Sequence, residues 1–292
     1  MKALSLLLFI SLLFQSHAPG QNLEELLNQK TSEQQTIDYT LATFKATRII
    51  NSHSIENPEK GDLMFLISHR FGELNGGFYE FFGLDNATTR LGLEQGITDR
   101  LAIGIGRNIL YKAWDGHLKY KLLRQSTGSK NMPVSLSIFT SAAIETLKSS
   151  DPDKTYNLTN RTSYAAQLLI ARKFSPKFSL QLIPTFIHKN LVERRIDQNN
   201  IFSLGAGGRF KITNRLTLNA EYFYLLPGQT ADDFNDSFSV GFDIETGGHV
   251  FQLHLTNSTG MFEQAFITET AGSWMDGNIH FGFNIIRNFK VY

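Results

Sequence analysis

The chain lacks cysteine altogether, has only 7 prolines in 292 residues, and sets 28 basic side chains against 27 acidic ones. Without cysteine there is no disulfide, and no N-terminal cysteine through which a lipoprotein could be anchored. The near-neutral balance removes the basic surface that displaces phosphate counterions, so nucleic acid is excluded as a partner. No stretch reads as a Pro/Gly/Ser-rich linker. No P-loop, dinucleotide fingerprint or zincin motif occurs either, and no cofactor is implied. What is abundant is 24 Phe, 9 Tyr and 23 Gly, and with proline scarce this composition favours strands.

Long apolar runs are also missing. The longest, Ala3 to Phe14 behind Lys2, is too short to cross a bilayer as a helix and fits the core of a secretory signal. Pro19 disfavours a cut after Ala18, whereas Ala18-Pro19-Gly20 places small residues so that the mature chain starts at Gln21. Residues 1–20 are thus expected to be a cleaved signal and 21–60 a lead-in. The barrel argued for below takes 61–292. Within the lead-in, "NLEELLNQK" (22–30) carries Leu23, Leu26 and Leu27 at helical spacing, about two turns of marginal helix.

From residue 61 the hydrophobic period becomes two. Strands are expected at 61–73, 88–97, 101–111, 115–125, 133–146, 161–174, 178–190, 200–212, 216–226, 236–245, 249–258 and 277–288. Ordinary strands average about five or six residues, and strands crossing an outer membrane need roughly nine to eleven. Most of these reach that length. The short turns "TDR" (98–100), "SPK" (175–177), "TNR" (213–215) and "TG" (246–247) alternate with longer links at 74–87, 147–160, 191–199, 227–235 and 259–276. Short turns at one end and long loops at the other are the pattern of an outer-membrane barrel with periplasmic turns and outside loops. Links 112–114 and 126–132 have the wrong length for their ends.

Cross-strand pairing tests the turns. Ile97 with Leu101 puts Leu93 opposite Ile105 and Glu94 opposite Gly104. Phe174 with Phe178 puts Ile170 opposite Leu182, and Ile212 with Leu216 puts Phe210 opposite Leu218. Glu245 with Gly248 puts Gly241 opposite Gln252. Pro184 removes a ladder hydrogen bond and should mark a bulge. Residues 40–56 look strand-like, but a thirteenth strand would make the count odd. They are expected inside the lumen or against its periplasmic mouth; the alternative is an added strand with a partner near 33–40 or 262–270.

The two faces differ in chemistry. Leu91, Leu93, Ile103, Ile105, Leu118, Tyr120, Leu122, Leu218, Tyr222, Phe238, Val240, Phe242, Phe251, Leu253, Phe281 and Phe283 form an apolar face. Phe174, Phe178 and Phe210 fall beside the short turns, and Tyr111, Trp114, Tyr222 and Tyr224 toward the long loops, as aromatic girdles would. The opposite face carries the lumen-lining candidates Arg90, Glu94, His117, Lys119, Lys121, Arg209, Lys211, Glu221, Asp243, Glu245, Gln252, His254, His280 and Asn284, interleaved with glycines that let bulky neighbours fit. Alternation alone does not separate a membrane barrel from a water-soluble sandwich; strand length, loop asymmetry and the export signal favour the barrel.

His117, His254 and His280 share the inner face, but without ligand spacing in one element no metal or catalytic residue is assigned. A hydrogen-bonded, charge-paired interior, with Arg209 and Glu221 diagonal across the "TNR" hairpin and Asp243 next to them, stands beside a selectivity role for the same charges. A lipid-modifying enzyme is the weaker class: Ser68 and His69 are neighbours facing opposite ways, with no triad around them. The Asn-X-Thr sequons at Asn86, Asn157, Asn160 and Asn257 read as chance.

"FKATRIINSHS" (44–54), "ISHRFG" (67–72), "GLEQGITDRLAIGIGR" (92–107), "DGHLKYKLLRQ" (115–125), "HVFQLHLTNS" (249–258) and "IHFGFNIIRNF" (279–289) resemble an uncharacterised β-barrel family of Bacteroidetes, a domain of unknown function. The resemblance covers nearly all of the mature chain and implies fold and location but no active site. At the end, Tyr292 is aromatic as in outer-membrane terminal signals, but Lys290 and Asn288 break the alternation behind it. The expectation is an all-β fold: a monomeric antiparallel transmembrane β-barrel of about 12 strands with a polar lumen. Its partners would be outer-membrane lipid and the barrel-assembly machinery. Its role would be passage or binding of a small polar solute, the alternative being a sealed structural or assembly barrel.

Overall fold

The computed structural model describes residues 36–148, 157–192, 194–230 and 233–291. The expected signal and the helix at 22–30 lie outside these. Fourteen strands are described: β1 (Ile37–Tyr39), β2 (Asp62–Glu73), β3 (Ala87–Gly96), β4 (Leu101–Asn108), β5 (Trp114–Leu123), β6 (Ser126–Gly128), β7 (Ser135–Ile144), β8 (Thr162–Lys173), β9 (Phe178–Lys189), β10 (Asn200–Lys211), β11 (Leu216–Leu225), β12 (Ser237–Thr246), β13 (His249–Thr256) and β14 (His280–Lys290). All except β1 and β6 close into one twelve-stranded antiparallel barrel, each pairing with its sequence neighbour and β14 returning to β2. Closure leaves no barrel edge with unpaired backbone groups, which hydrocarbon would not tolerate.

The two faces decide the solvent. On β3, Leu93 is 43% exposed while Glu94 beside it is 2% exposed. A water-soluble sandwich would bury the first and expose the second. Here the apolar face, including Leu91, Ile103, Ile105, Phe242 and Leu253, forms an exposed outer belt, and the polar face is buried inside. That is the inside-out chemistry of an outer-membrane-type barrel. Phe174, Phe178 and Phe210 near the short turns, and Trp114, Tyr222 and Tyr224 toward the loops, are exposed on the same surface.

The "TDR", "SPK" and "TNR" hairpins pair as their turns require: Leu93 faces Ile105, Ile170 faces Leu182 and Phe210 faces Leu218. Four details depart from expectation. The β12–β13 turn is Gly247-Gly248 rather than "TG", so Thr246 faces His249 and Gly241 faces His254, two positions from the expected Gln252. Gly248 has φ 144°, a conformation glycine adopts freely, and β-branched Thr246 stays in the strand. Pro184 makes no bulge: pairing with β8 breaks between Gln167↔Thr185 and Ile170↔Leu182 and resumes in the same register, while pairing with β10 is continuous. A missing N–H deletes a ladder bond but adds no residue. The link at 126–132 is long because it holds β6, which pairs with β1. Tyr111 does not join the outer girdle; it packs on the buried cluster of Ala113, Ala143, Phe262 and Ala265.

Residues 40–56 form no barrel strand. Residues 47–54 make a tight hairpin, with Ile49 N–H donating to Ser52 O at 2.9 Å and Ser54 N–H to Thr47 O at 2.9 Å, and a bridge between Arg48 and His53. The hairpin lies within the barrel, bonded to inner-face side chains of the wall. The link after β13 also folds inward, as a helix α1 (Glu263–Thr268) with all six residues buried, where the sequence pattern shows only a link, 259–276. Phe44, Ile49 and Ile55 of the inserted segment and Phe266 and Ile267 of α1 share one apolar cluster with wall residues including Phe139, Leu169 and Phe223. Each such side chain contributes roughly 1.5–3 kcal/mol on burial, more than the net ~1 kcal/mol of a single hydrogen bond. Apolar burial thus contributes more per side chain to holding the segment than any one of its hydrogen bonds.

Candidate functional site

The polar lumen wall is organised around the inserted hairpin. Glu221 on β11 accepts from the backbone N–H groups of Ile50 (3.3 Å), Asn51 (2.7 Å) and Ser52 (3.1 Å) and from the Ser52 hydroxyl (2.7 Å). A turn with successive N–H groups pointing the same way is a natural anion nest, and here the anion belongs to the wall. The carbonyls of the segment are met by other wall side chains. Gln252 donates to Arg48 O and Ile49 O, Asn284 to Ile50 O at 2.9 Å, Gln181 to His53 O at 2.8 Å, Lys119 to Ser54 O and Glu56 O, and Arg209 to Ala42 O and Thr43 O. Arg70 reaches Asn51 Oδ1 at 2.7 Å.

Arg209 and Glu221 do not form the expected ion pair. They lie diagonally across the hairpin, Arg209 facing Asn219 and Glu221 facing Gly207, but each binds the inserted backbone, whose unpaired peptide groups compete for them. Asp243 accepts from Gln252 at 2.9 Å instead. Arg90 pairs with Asp115, Nε to Oδ1 at 2.9 Å, deep in the wall. His280 Nδ1 meets Phe71 O at 2.9 Å, and His254 is buried beside Gly282 with neither ring nitrogen hydrogen-bonded to a described residue. Lys121 lies 3.9 Å from Glu56, Glu245 pairs with Lys45, and Lys211 is half-buried at the short-turn end. Of the three inward histidines, His254 and His280 do not join His117. His69 faces outward, stacked on Phe283, while Ser68 is buried.

His117 and Glu94 do meet, with a residue that strand periodicity left aside. His117 Nε2 is 3.4 Å and His53 Nδ1 3.7 Å from Glu94 Oε1, and His53 Nε2 is 3.9 Å from Glu263 Oε1 on α1. Arg48 stands 3.9 Å from Glu94 and 3.8 Å from Glu263. Gly104 sits between Glu94 and His117 in the β3–β4–β5 ladder. A Cβ there would lie 2.2 Å from His117 Cε1 and 2.9 Å from Glu94 Cγ, so its absence lets the two close over the strand. The signal available beforehand was that glycine facing Glu94.

At the short-turn end a cavity of about 870 Å³ opens, lined among others by Lys45, Glu56, Asp99, Lys121, Arg124 and Glu245. Charges of both signs face it. At the long-loop end Arg194 grips Asp233 at 2.7 and 2.8 Å, and that hydrogen bond holds the Asp233 carboxyl below its usual range.

A family model described as a membrane bound beta barrel domain (DUF5777) matches residues 44–289, a span that includes the inserted hairpin. No curated protein matches the sequence. Among solved structures the chain is similar to the NanC porin, at 10% identity over 78% of this chain and 99% of that one, with a TM-score of 0.48. It is similar to the KdgM porin at 8% identity, covering 79% and 99%, TM-score 0.45. A third is the COG4313 outer membrane channel from Pseudomonas putida F1, at 14% identity, 80% and 97% coverage and TM-score 0.46.

Proposed function

Because the chain belongs to that family of membrane-bound β-barrel domains, we propose that it acts in the outer membrane as a channel for small polar solutes, closed at rest by its own inserted segment. The observation that carries this reading is the chemistry of the plug contact. Glu221, Arg209, Gln252, Asn284, Gln181 and Lys119 all hold peptide groups of residues 42–56. Water can take over each of those bonds when the segment leaves, so the vacated wall is a hydrated one that a polar solute can cross. The mixed-charge cavity at the short-turn end is the vestibule, suited to solutes that carry both donors and acceptors. Export by the N-terminal signal and insertion by the barrel-assembly machinery belong to the same reading.

The apolar cluster on one side of the lumen favours a second reading, a permanently sealed barrel with a structural or assembly role. Single-channel recording in planar bilayers separates them, comparing the chain from Gln21 with one lacking residues 21–60. The channel reading expects a closed intact barrel and steady conductance after truncation. Silence from both, with a correctly folded barrel shown by heat-modifiable mobility, would transfer the assignment to the sealed barrel.

A further inference from the structure

We propose that His53, Glu94 and His117 bind one divalent transition-metal ion of the zinc class, clipping the inserted segment to the lumen wall. Two imidazoles and a carboxylate with an open fourth position are a recurrent zinc donor set, and imidazole disfavours the hard cations calcium and magnesium. One ligand atom from each of the three residues lies within 4.8 Å of the others. Ligand atoms bonded tetrahedrally to one zinc stand about 3.3 Å apart, so side-chain shifts on the order of 1 Å complete the site.

The surroundings point to the same occupant. His53 is 0% exposed, and the side chains of Glu94 and His117 are each 2% exposed. Both nitrogens of His53, both carboxylate oxygens of Glu94 and Nε2 of His117 have no hydrogen-bond partner among the described residues. Buried polar atoms are rarely left so, because each costs about 1–3 kcal/mol, and more when charged. A metal between His53 Nδ1, Glu94 and His117 Nε2 uses the facing atoms of all three. It also leaves His53 Nε2–H directed at Glu263 Oε1, 3.9 Å away, the carboxylate–histidine–metal arrangement that fixes the tautomer of a ligating ring. Glu263 is therefore a positioning residue. On charge, Glu94 and Glu263 stand against Arg48, while Arg90 is matched by Asp115 and Lys119 is held by the Ser54 and Glu56 carbonyls.

His53 arrives with the hairpin, whereas Glu94 and His117 belong to β3 and β5, so the ion loads as the segment inserts. The site stands on packing alone and does not depend on whether the barrel conducts. The test is to refold the full mature chain in detergent with Zn²⁺, remove loose metal by dialysis against a weak chelator, and measure bound zinc by plasma emission spectrometry. Refolding with Co²⁺ reports geometry through its visible absorption. One retained ion per chain and an intense tetrahedral Co²⁺ spectrum are expected. Both should be lost in His53→Ala, which lies outside the barrel strands and leaves closure intact, and in Glu94→Gln. Glu263→Gln should keep the site but weaken it by roughly 10–100-fold. A folded barrel that retains no metal, a weak octahedral spectrum, or retention unchanged by His53→Ala would overturn the proposal.

Discussion

Glu221 accepts a 2.7 Å hydrogen bond from the backbone N–H of Asn51, a residue 170 positions earlier in the chain. One wall carboxylate thus holds the tip of the inserted hairpin, and Glu221→Ala leaves three buried N–H groups without an acceptor, at about 1–3 kcal/mol each. The native chain has no cysteine, so an Ile55→Cys reporter is the sole thiol. A bulky maleimide is expected to label it slowly in the native background and at least tenfold faster in Glu221→Ala, with barrel mobility on gels unchanged. Equal rates would mean that the apolar contacts alone retain the segment.

Gly104 is expected to resist even the smallest substitution. A Cβ would stand 2.2 Å from His117 Cε1, and overpacking of that kind costs about 1–3 kcal/mol. Gly104→Ala should lower the urea midpoint, followed by tryptophan fluorescence, whereas Gly116→Ala should be near neutral, since its Cβ would meet only Gly104 O at 3.8 Å.

The same glycine shows how far the sequence is legible. The period of two gave strands, faces and three of four hairpin registers, because each of these depends on neighbours a few residues apart. "TG" and "GG" both fill a two-residue turn, and turn length alone does not separate them; the positive φ at Gly248 and the strand preference of Thr246 select Gly247-Gly248. His53, Arg48 and Glu263 are not legible, for a different reason. Arg48 and His53 lie on residues 40–56, which look strand-like but join no barrel strand, Glu263 lies in a link, and their partners are inner-face residues that only closure of the barrel brings near. Glu94 and His117 are legible as inward residues and 40–56 as a segment in the lumen or at its mouth; that His53 is the residue that meets them is not, because no local pattern sets the depth and register of the inserted hairpin.

Arg90 and Asp115 offer a test of the buried wall. Breaking a buried pair from one side strands a charge and costs about 3–5 kcal/mol. Asp115→Ala is expected to show that full loss in unfolding experiments, while Arg90→Met with Asp115→Ala recovers most of it. If the single and double variants are equally unstable, water already solvates the pair.

The loop pair Arg194–Asp233 should show the opposite, a visible titration with little energetic consequence. The Asp233 pKa is depressed by its hydrogen bond to Arg194, so any stabilisation is present above the ordinary carboxylate range and is lost as pH falls through the lowered value. Asp233 is exposed, and solvent screens the interaction. Carboxyl ¹³C shifts should place its titration below that of a free aspartate and return it to normal in Arg194→Gln, with an unchanged unfolding midpoint at neutral pH.

Finally, the outer belt predicts a dependence on depth. Leu93 faces outward toward the middle of β3 and pairs with Ile105, whereas Phe174 lies on the same surface beside a short turn. An arginine at the bilayer midplane costs about 2–4 kcal/mol and near an interface about 0–1. Leu93→Arg should therefore lower folding free energy in lipid vesicles several times more than Phe174→Arg, and the gap should close in detergent micelles that deform around the charge. Equal penalties would mean that the belt is not centred where Leu93 stands, and the membrane would have to be placed higher or lower on the barrel.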